Sequence, residues 1–340
     1  MRREKYLSNT MLNKLLARQP SDVVRFLEHF RPGKEAHREE ASRTARAATI
    51  RYEKFKRYIH LHSTSELDTA PLALHHPGLI DFHEQHRLHR YYAPHPLAGR
   101  SDTAGMTLMP FQGTVFVAER LGMLHKHPRI FVKPKVTDDD LEDAEWNDPE
   151  SEEIMFPYIG DFLLILQGEF HPYCVNWDVK PEAAAFVDPN FYRTKKSLAR
   201  LRERMEALKY RHELEREYFR DAGIRTVRIV SARIDRHVVN NLKRFVVRAS
   251  DPRPFDPETT VAIEKRFNQM VTEERTVYKE LAALAKTFGC KREQCITVLE
   301  QGIWNRTIRV DLFQPVLTDH PLRRESEDVI RRYAAWFRED

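Results

Sequence analysis

The chain has 340 residues, 41% of them hydrophobic and 31% charged, with a formal net charge of +5. That balance excludes a wholly disordered or a fibrous protein, and no apolar run reaches the ~18 residues that a membrane span needs. Three cysteines, Cys174, Cys290 and Cys295, are too few for a disulfide framework, and the charged opening MRREKYLSNTMLNKLLARQ lacks the apolar centre of a secretory signal, so the expected setting is the reducing cytoplasm.

Residues 1–60 carry 15 Lys/Arg against 7 Asp/Glu. They read as a basic helical extension: LSNTMLNKLLARQ, then SDVVRFLEHF with Ser21 as its N-cap, then the run from Lys34 to His60. Ser63, Thr64 or Ser65 is placed to cap a short helix carrying Glu66, and Pro77-Gly78 turns the chain into LIDFHEQHRLHRYY, which alternates like a strand. Ala98–Gly105 reads as a loop, and Gly113–Glu119 and Arg129–Lys133 as strands. KVTDDDLEDAEWNDPESEE reads as an acidic surface insertion. Asp138 to Glu153 holds 10 acids and no base, and without them the rest of the chain stands at +15. A surface so charged suits a polyanion such as nucleic acid, though on charge alone a merely solvated surface fits equally.

Phe162 to Leu166 is a continuous apolar run of strand length, as expected for a strand covered on both faces. Gln167-Gly168 turns it into a second strand, Tyr173–Val179. Ser197–Ala222 is a helix whose Leu198, Leu201, Met205, Leu208 and Phe219 fall near one stripe, stopped by Gly223. Ile224–Val230 is a further strand, and residues 195–250 hold 16 Lys/Arg against 7 Asp/Glu. Strand, strand, helix, strand is an α/β pattern. SDPRPFDPETT is a linker by composition. Beyond it Lys279–Phe288, ended by Gly289, and Arg292–Trp304 read as helices and Thr307–Phe313 as a strand. That order fits a winged helix-turn-helix, and equally any small helical domain. The domains expected are thus 1–60, 61–250 and 258–340.

The chemistry centres on Asp178-Val179-Lys180. A strand has period two, so Asp178 and Lys180 project from one face while Val179 points into the core. A hairpin-like pair of strands brings Asp161, at the head of the preceding strand, to the same sheet edge. Two carboxylates there suit a hard divalent cation, with the Val179 carbonyl as a further oxygen ligand. Lys180 is placed to orient or deprotonate a water, or to neutralise developing charge. Glu66, from an upstream helix, could complete the set, with Asp68 a competing carboxylate. A D-x-K tripeptide alone occurs by chance in any charged protein. The histidines show no H-x-x-x-H zinc spacing and read as surface or core residues, and neither a Walker A nor a G-x-G-x-x-G sequence is present.

The segments STSELDTAPLAL, HPGLIDFHEQ, GDFLLIL, NWDVKP, LEREYFRDAGIRTVRIVSARI, ELAALAKTF and VLEQGIWNRTIRVDLFQP, in this order, resemble the TnsA family, the endonuclease subunits of TnsABC-type heteromeric transposases. The resemblance covers roughly residues 60–320, interrupted by Arg100–Glu153. It implies a restriction-endonuclease-like fold of the PD-(D/E)xK superfamily, a mixed sheet flanked by helices, with a C-terminal winged-helix domain. It implies Glu66, Asp161, Asp178 and Lys180 as catalytic residues, and Glu66, Asp161, Asp178 and the Val179 carbonyl as ligands of Mg²⁺, with Mn²⁺ substituting. It also implies cutting of the 5′ strand at transposon ends in double-stranded DNA, a DDE transposase partner (TnsB), an AAA+ regulator (TnsC), no membrane, and a place at the bacterial nucleoid. Two departures stand out. The family often has Gln where this chain has Asp178, and Pro where it has Gly160. The rival readings are a free-standing restriction or homing-type nuclease and a non-catalytic DNA-binding adaptor.

Overall fold

The computed structural model of the chain describes residues 30–37, 46–132, 152–155, 157–188 and 198–339. The two N-terminal helices and the Ser21 cap expected within residues 1–29, and most of the acidic insertion, lie outside these.

Period-two burial opens the described chain. In β1 (Ala48–Tyr52) and β2 (Arg57–Leu61) the side chains of Ile50, Tyr52, Ile59 and Leu61 are buried, and the strands pair antiparallel around a turn where Lys56 takes φ +52°. Within the run from Lys34 to His60 expected as a helix, residues 48–60 are therefore corrected to a hairpin, while residues 38–45 lie outside the described residues. The hairpin's alternation hides under interleaved Arg and Lys, of which Arg51 stays in solvent while Arg57 turns in to pair with buried Glu84. Helix α1 (Thr64–Leu74) follows, then β3 (Leu79–Glu84).

A four-stranded sheet organises the centre. With β4 (Arg129–Val132) and β5 (Glu152–Met155) forming a separate antiparallel pair, the sheet comprises β3, β6 (Phe162–Gln167), β7 (Pro172–Lys180) and β8 (Arg225–Val230) in the order β3-β6-β7-β8. The first two pairings are antiparallel and β7-β8 is parallel. A parallel pair needs a crossover, and here the crossover contains a long helix, α3 (Leu198–Asp221). Gly223 takes φ +71° just past its end. The chain is thus mixed α/β.

The apolar run in β6 has a direct explanation. Phe162, Leu164 and Leu166 belong to one buried cluster, and Leu163 and Ile165 to another on the opposite face. The first cluster also takes Val175, Trp177 and Val179 of β7 and runs on through α4 (Arg236–Ala249), α5 (Pro257–Thr272), α6 (Val277–Thr287) and α7 (Arg292–Trp304) as far as Phe337. The second cluster lies under α3, where Tyr210, Leu214, Tyr218 and Phe219 are buried. Leu201, Met205 and Leu208 are only half-buried, so the stripe expected on this helix is buried toward its C-terminal end.

Three further expectations are corrected. Gly113–Glu119 is not a strand: Thr114–Arg120 forms helix α2, because burying Val117 and Ala118 beside Phe111 outweighs β-propensity. Glu152 and Glu153, expected in the acidic loop, belong to β5, paired with Val132 and Phe131. Thr307–Phe313 forms no strand. Ile308, Val310 and Leu312 alternate into the core, but only the bridge Val310–Arg324 forms. Helices α6 and α7 do meet at a tight turn, with Gly289 at φ +59°.

Candidate active site

Glu66, Asp161 and Asp178 are each positioned by a different element. Ser63 is the N-cap of α1: its Oγ accepts from the Glu66 backbone N–H at 3.1 Å and its hydroxyl donates to Glu66 Oε1 at 2.9 Å. Glu66 Oε2 accepts from the His62 N–H at 2.8 Å and from Gln85 Nε2 at 3.2 Å. The carboxylate is thus clamped at the helix start. Asp68 faces elsewhere, paired with Arg236 at 3.5 Å and with Lys243 on α4.

Asp161 sits immediately before β6, where the chain runs against Gln85 and His86. The Asp161 carbonyl accepts from Gln85 N–H, and Gly160 N–H donates to the His86 carbonyl, both at 2.8 Å. A Cβ on residue 160 would lie 2.3 Å from His86 Cε1. That closeness accounts for glycine at this position, and proline would in addition lack the N–H that bonds His86.

On β7, period two acts as expected. Val179 enters the first core cluster, whereas Asn176, Asp178 and Lys180 share the face covered by α3. Lys180 Nζ donates to Asp161 Oδ2 at 3.1 Å, to the Val179 carbonyl at 3.0 Å and to Asp178 Oδ1. The Val179 N–H donates to the same Asp161 oxygen at 2.7 Å. One ammonium therefore touches both aspartates and the carbonyl, so their oxygens converge on a single cation position.

The electrostatics follow from this convergence. Burial, and then the neighbouring Asp161, push Glu66 up to about 7. Burial alone would raise Asp178 too, but His212 and Lys180 outweigh it and hold its carboxyl well below the usual carboxylate range. Burial would lower Lys180, yet Asp161 and Asp178 prevail and keep it an ammonium far above neutral pH. Removing a proton from water calls for the neutral amine, so this arrangement favours Lys180 as a hydrogen-bond donor and positive charge.

Helix α3 adds groups that the sequence reading missed. His212 Nδ1 lies 2.8 Å from Asp178 Oδ2, Glu215 accepts from Asn176 Nδ2 at 3.1 Å, and Arg211 donates to the Ile159 carbonyl at 3.1 Å. Glu215 is pushed up to about 7 by burial and by Asp178. Arg211 and Glu215 are four apart on a helix, a spacing that in sequence reads as a solvated ion pair. The one available signal was negative: the apolar stripe on α3 is interrupted at His212 and Glu215, which meet Asp178 and Asn176 of β7.

Among the described residues no three His, Cys, Asp or Glu side chains stand in ready metal-ligand geometry. The donor chemistry nevertheless suits a hard divalent cation: two carboxylates and a backbone carbonyl already converge on one cationic atom, and a third carboxylate, Glu66, interacts with Asp161. Lys180 is the group that would yield the position. A cleft of about 720 Å³ is lined by Ser65 and Pro181, the chain neighbours of Glu66 and Lys180, and by Arg233, Arg236 and Arg332 together with Asp68, Glu182, Asp235 and Glu327. No helix among the described residues is long and apolar enough to cross a membrane. No protein-family model matches this chain, and neither does any curated protein.

Proposed function

We propose that the chain is a Mg²⁺-dependent DNA endonuclease with the restriction-endonuclease-like fold, acting as the TnsA-type subunit of a heteromeric transposase. The observation that carries this reading is the convergence of Asp161, Asp178 and the Val179 carbonyl on one cation position, with Glu66 alongside. The order α1, three antiparallel strands, α3 and a parallel strand supports it as well.

In this reading Glu66, Asp161, Asp178 and the Val179 carbonyl hold Mg²⁺, or Mn²⁺ in its place. The ion supplies positive charge to the scissile phosphodiester. Lys180, kept protonated, donates to the phosphate or the attacking water and offsets charge as it builds. Ser63 and Gln85 keep Glu66 pointed at the cluster, and phosphate contacts from basic side chains hold the duplex without reading its sequence. The chain cuts the 5′ strand at each transposon end while a DDE transposase (TnsB) cuts the other, and an AAA+ protein (TnsC) regulates both. The α6–α7 pair serves as a winged-helix-type module. Arg306, just past α7, is paired with Asp328, and the pair's own bases, Lys279, Lys286, Lys291 and Arg292, are nearly matched by Glu280, Glu293 and Glu300, which favours a protein contact over base reading.

The test is strand cutting in a reconstituted mixture of this chain, its transposase, Mg²⁺ and end-bearing DNA. Alanine at Glu66, Asp161, Asp178 or Lys180 should each lower cutting by roughly a thousandfold or more while DNA and partner association persist. Normal cutting by Asp161→Ala would refute the assignment. Cutting of naked DNA by the chain alone would favour a free-standing nuclease.

A further inference from the structure

Asp178 differs from the other carboxylates of the cluster in how its two oxygens are used. A carboxylate only accepts hydrogen bonds, so its orientation is fixed when each oxygen meets its own donor. Oδ1 faces Lys180, and Oδ2 meets His212 Nδ1 at 2.8 Å. The His212 side chain is 8% exposed, and its ring lies tilted against Phe186, 5.8 Å between centroids. Phe186 in turn lies 5.6 Å beneath Lys180 Nζ and 5.3 Å beneath the Arg228 guanidinium. Phe186 thus packs against the imidazole, and the imidazole meets the carboxylate. The other ring nitrogen, Nε2, is buried and has no hydrogen-bond partner among the described residues. A ring needed only for packing would be better served by an apolar side chain.

We infer that His212 is a positioning residue that clamps Asp178 Oδ2 and thereby turns Oδ1 toward the divalent cation. This inference rests on the metal-dependent reading above. It also gives a reason for an aspartate at a position where the resembled family often has glutamine. Unlike an amide, a buried carboxylate presents no donor of its own, and both its oxygens require donors from elsewhere. The neighbouring helix supplies the second one. Outer-shell partners of this kind typically change metal affinity 10–100-fold when removed.

The probe is Mn²⁺, titrated into the full-length chain without DNA and followed by the electron paramagnetic resonance of the free ion. His212→Phe keeps a ring against Phe186 but offers no donor, and His212→Asn places an amide N–H where Nδ1 stood. Affinity should fall about 10–100-fold in the first and stay within about threefold of wild type in the second. If His212→Phe does not fold, as judged by its thermal unfolding, His212→Ala takes its place. Asp161→Asn serves as the reference. Should wild type bind no Mn²⁺, or bind it no better than Asp161→Asn does, the metal reading fails and the clamp falls with it. If Asp161→Asn loses the ion while the donorless His212 variant holds it as tightly as wild type, the metal reading stands and the clamp alone is overturned. Equal weakening in His212→Asn and His212→Phe would also overturn it, since the donor would then not be what matters.

Discussion

Two sets of buried charge lie along the sheet, and they are built on opposite principles. At the end of β3, Glu84 is fully buried. Arg57 Nη1 sits 2.8 Å from both of its oxygens, and the His60 N–H donates at 3.0 Å. One acid meets one base, with the remaining acceptor capacity filled from the backbone. At the junction of β6, β7 and α3, by contrast, four carboxylates, Glu66, Asp161, Asp178 and Glu215, stand against two permanent cations, Lys180 and Arg211, and two of the four are raised to about 7. A balanced pair is what folding alone retains, whereas an excess of carboxylates works against stability and marks a place kept for another purpose. Burial of charge is therefore no sign of function. Surplus of one sign is.

The contrast breaks or sharpens under substitution. The largest effect belongs to the balanced pair. Arg57→Ala strands Glu84 in the core and should lower the unfolding free energy by about 3 kcal/mol or more in urea titration, without a selective loss of Mn²⁺ binding. A variant as stable as wild type would show that the pair is not structural.

Glu66, in the crowded set, should respond with the opposite sign. Glu66 holds its proton to about 7 in the folded chain against an ordinary 4.5. Between those values the folded state binds more protons than the unfolded one, so this group's contribution to stability falls as pH rises through the window. Asp178 runs the other way. Its lowered value lends stability above the ordinary aspartate range, and that stability is lost as pH drops below it. Glu66→Gln should thus unfold at higher urea than wild type at pH 8 in EDTA, by on the order of 1–3 kcal/mol, with the gain vanishing toward pH 4. A loss of stability at pH 8 would mean that Glu66 is not strained by its neighbours.

The smallest effect is expected at the surface. Arg248 and Asp251 are 3.0 Å apart but both substantially exposed, and Asp251→Ala should move the unfolding free energy by less than about 0.5 kcal/mol. A larger change there would undercut the claim that only buried charge separates into the two kinds.

Much of the sheet and of the cluster was legible because its signals are local. The run Phe162–Leu166 has the length and composition of a strand covered on both faces, and period two puts Asp178 and Lys180 on one side of β7 whatever surrounds them. Ser63 three residues before Glu66 is a helix-start signal that also aims the carboxylate. The hairpin at Ala48–Leu61 was harder to see, since Arg and Lys interrupt its alternation, and α2 formed against strand propensity because Phe111 and Val117 pack together. His212 and Glu215 were out of reach for a different reason. Their partners Asp178 and Asn176 lie more than 30 residues away in sequence, and only the crossover through α3 brings them together. The acidic insertion, for its part, carries strong composition but no spacing that fixes a shape.

The central claim is that Asp161 and Asp178 share one divalent ion, and diffraction reports on that most directly. Crystals grown with Mn²⁺ and measured at its absorption edge should show an anomalous peak bonded to both carboxylates and to the Val179 carbonyl, with the Lys180 ammonium moved aside. Manganese bound elsewhere, or Lys180 still bridging the two aspartates in the presence of the ion, would contradict the account.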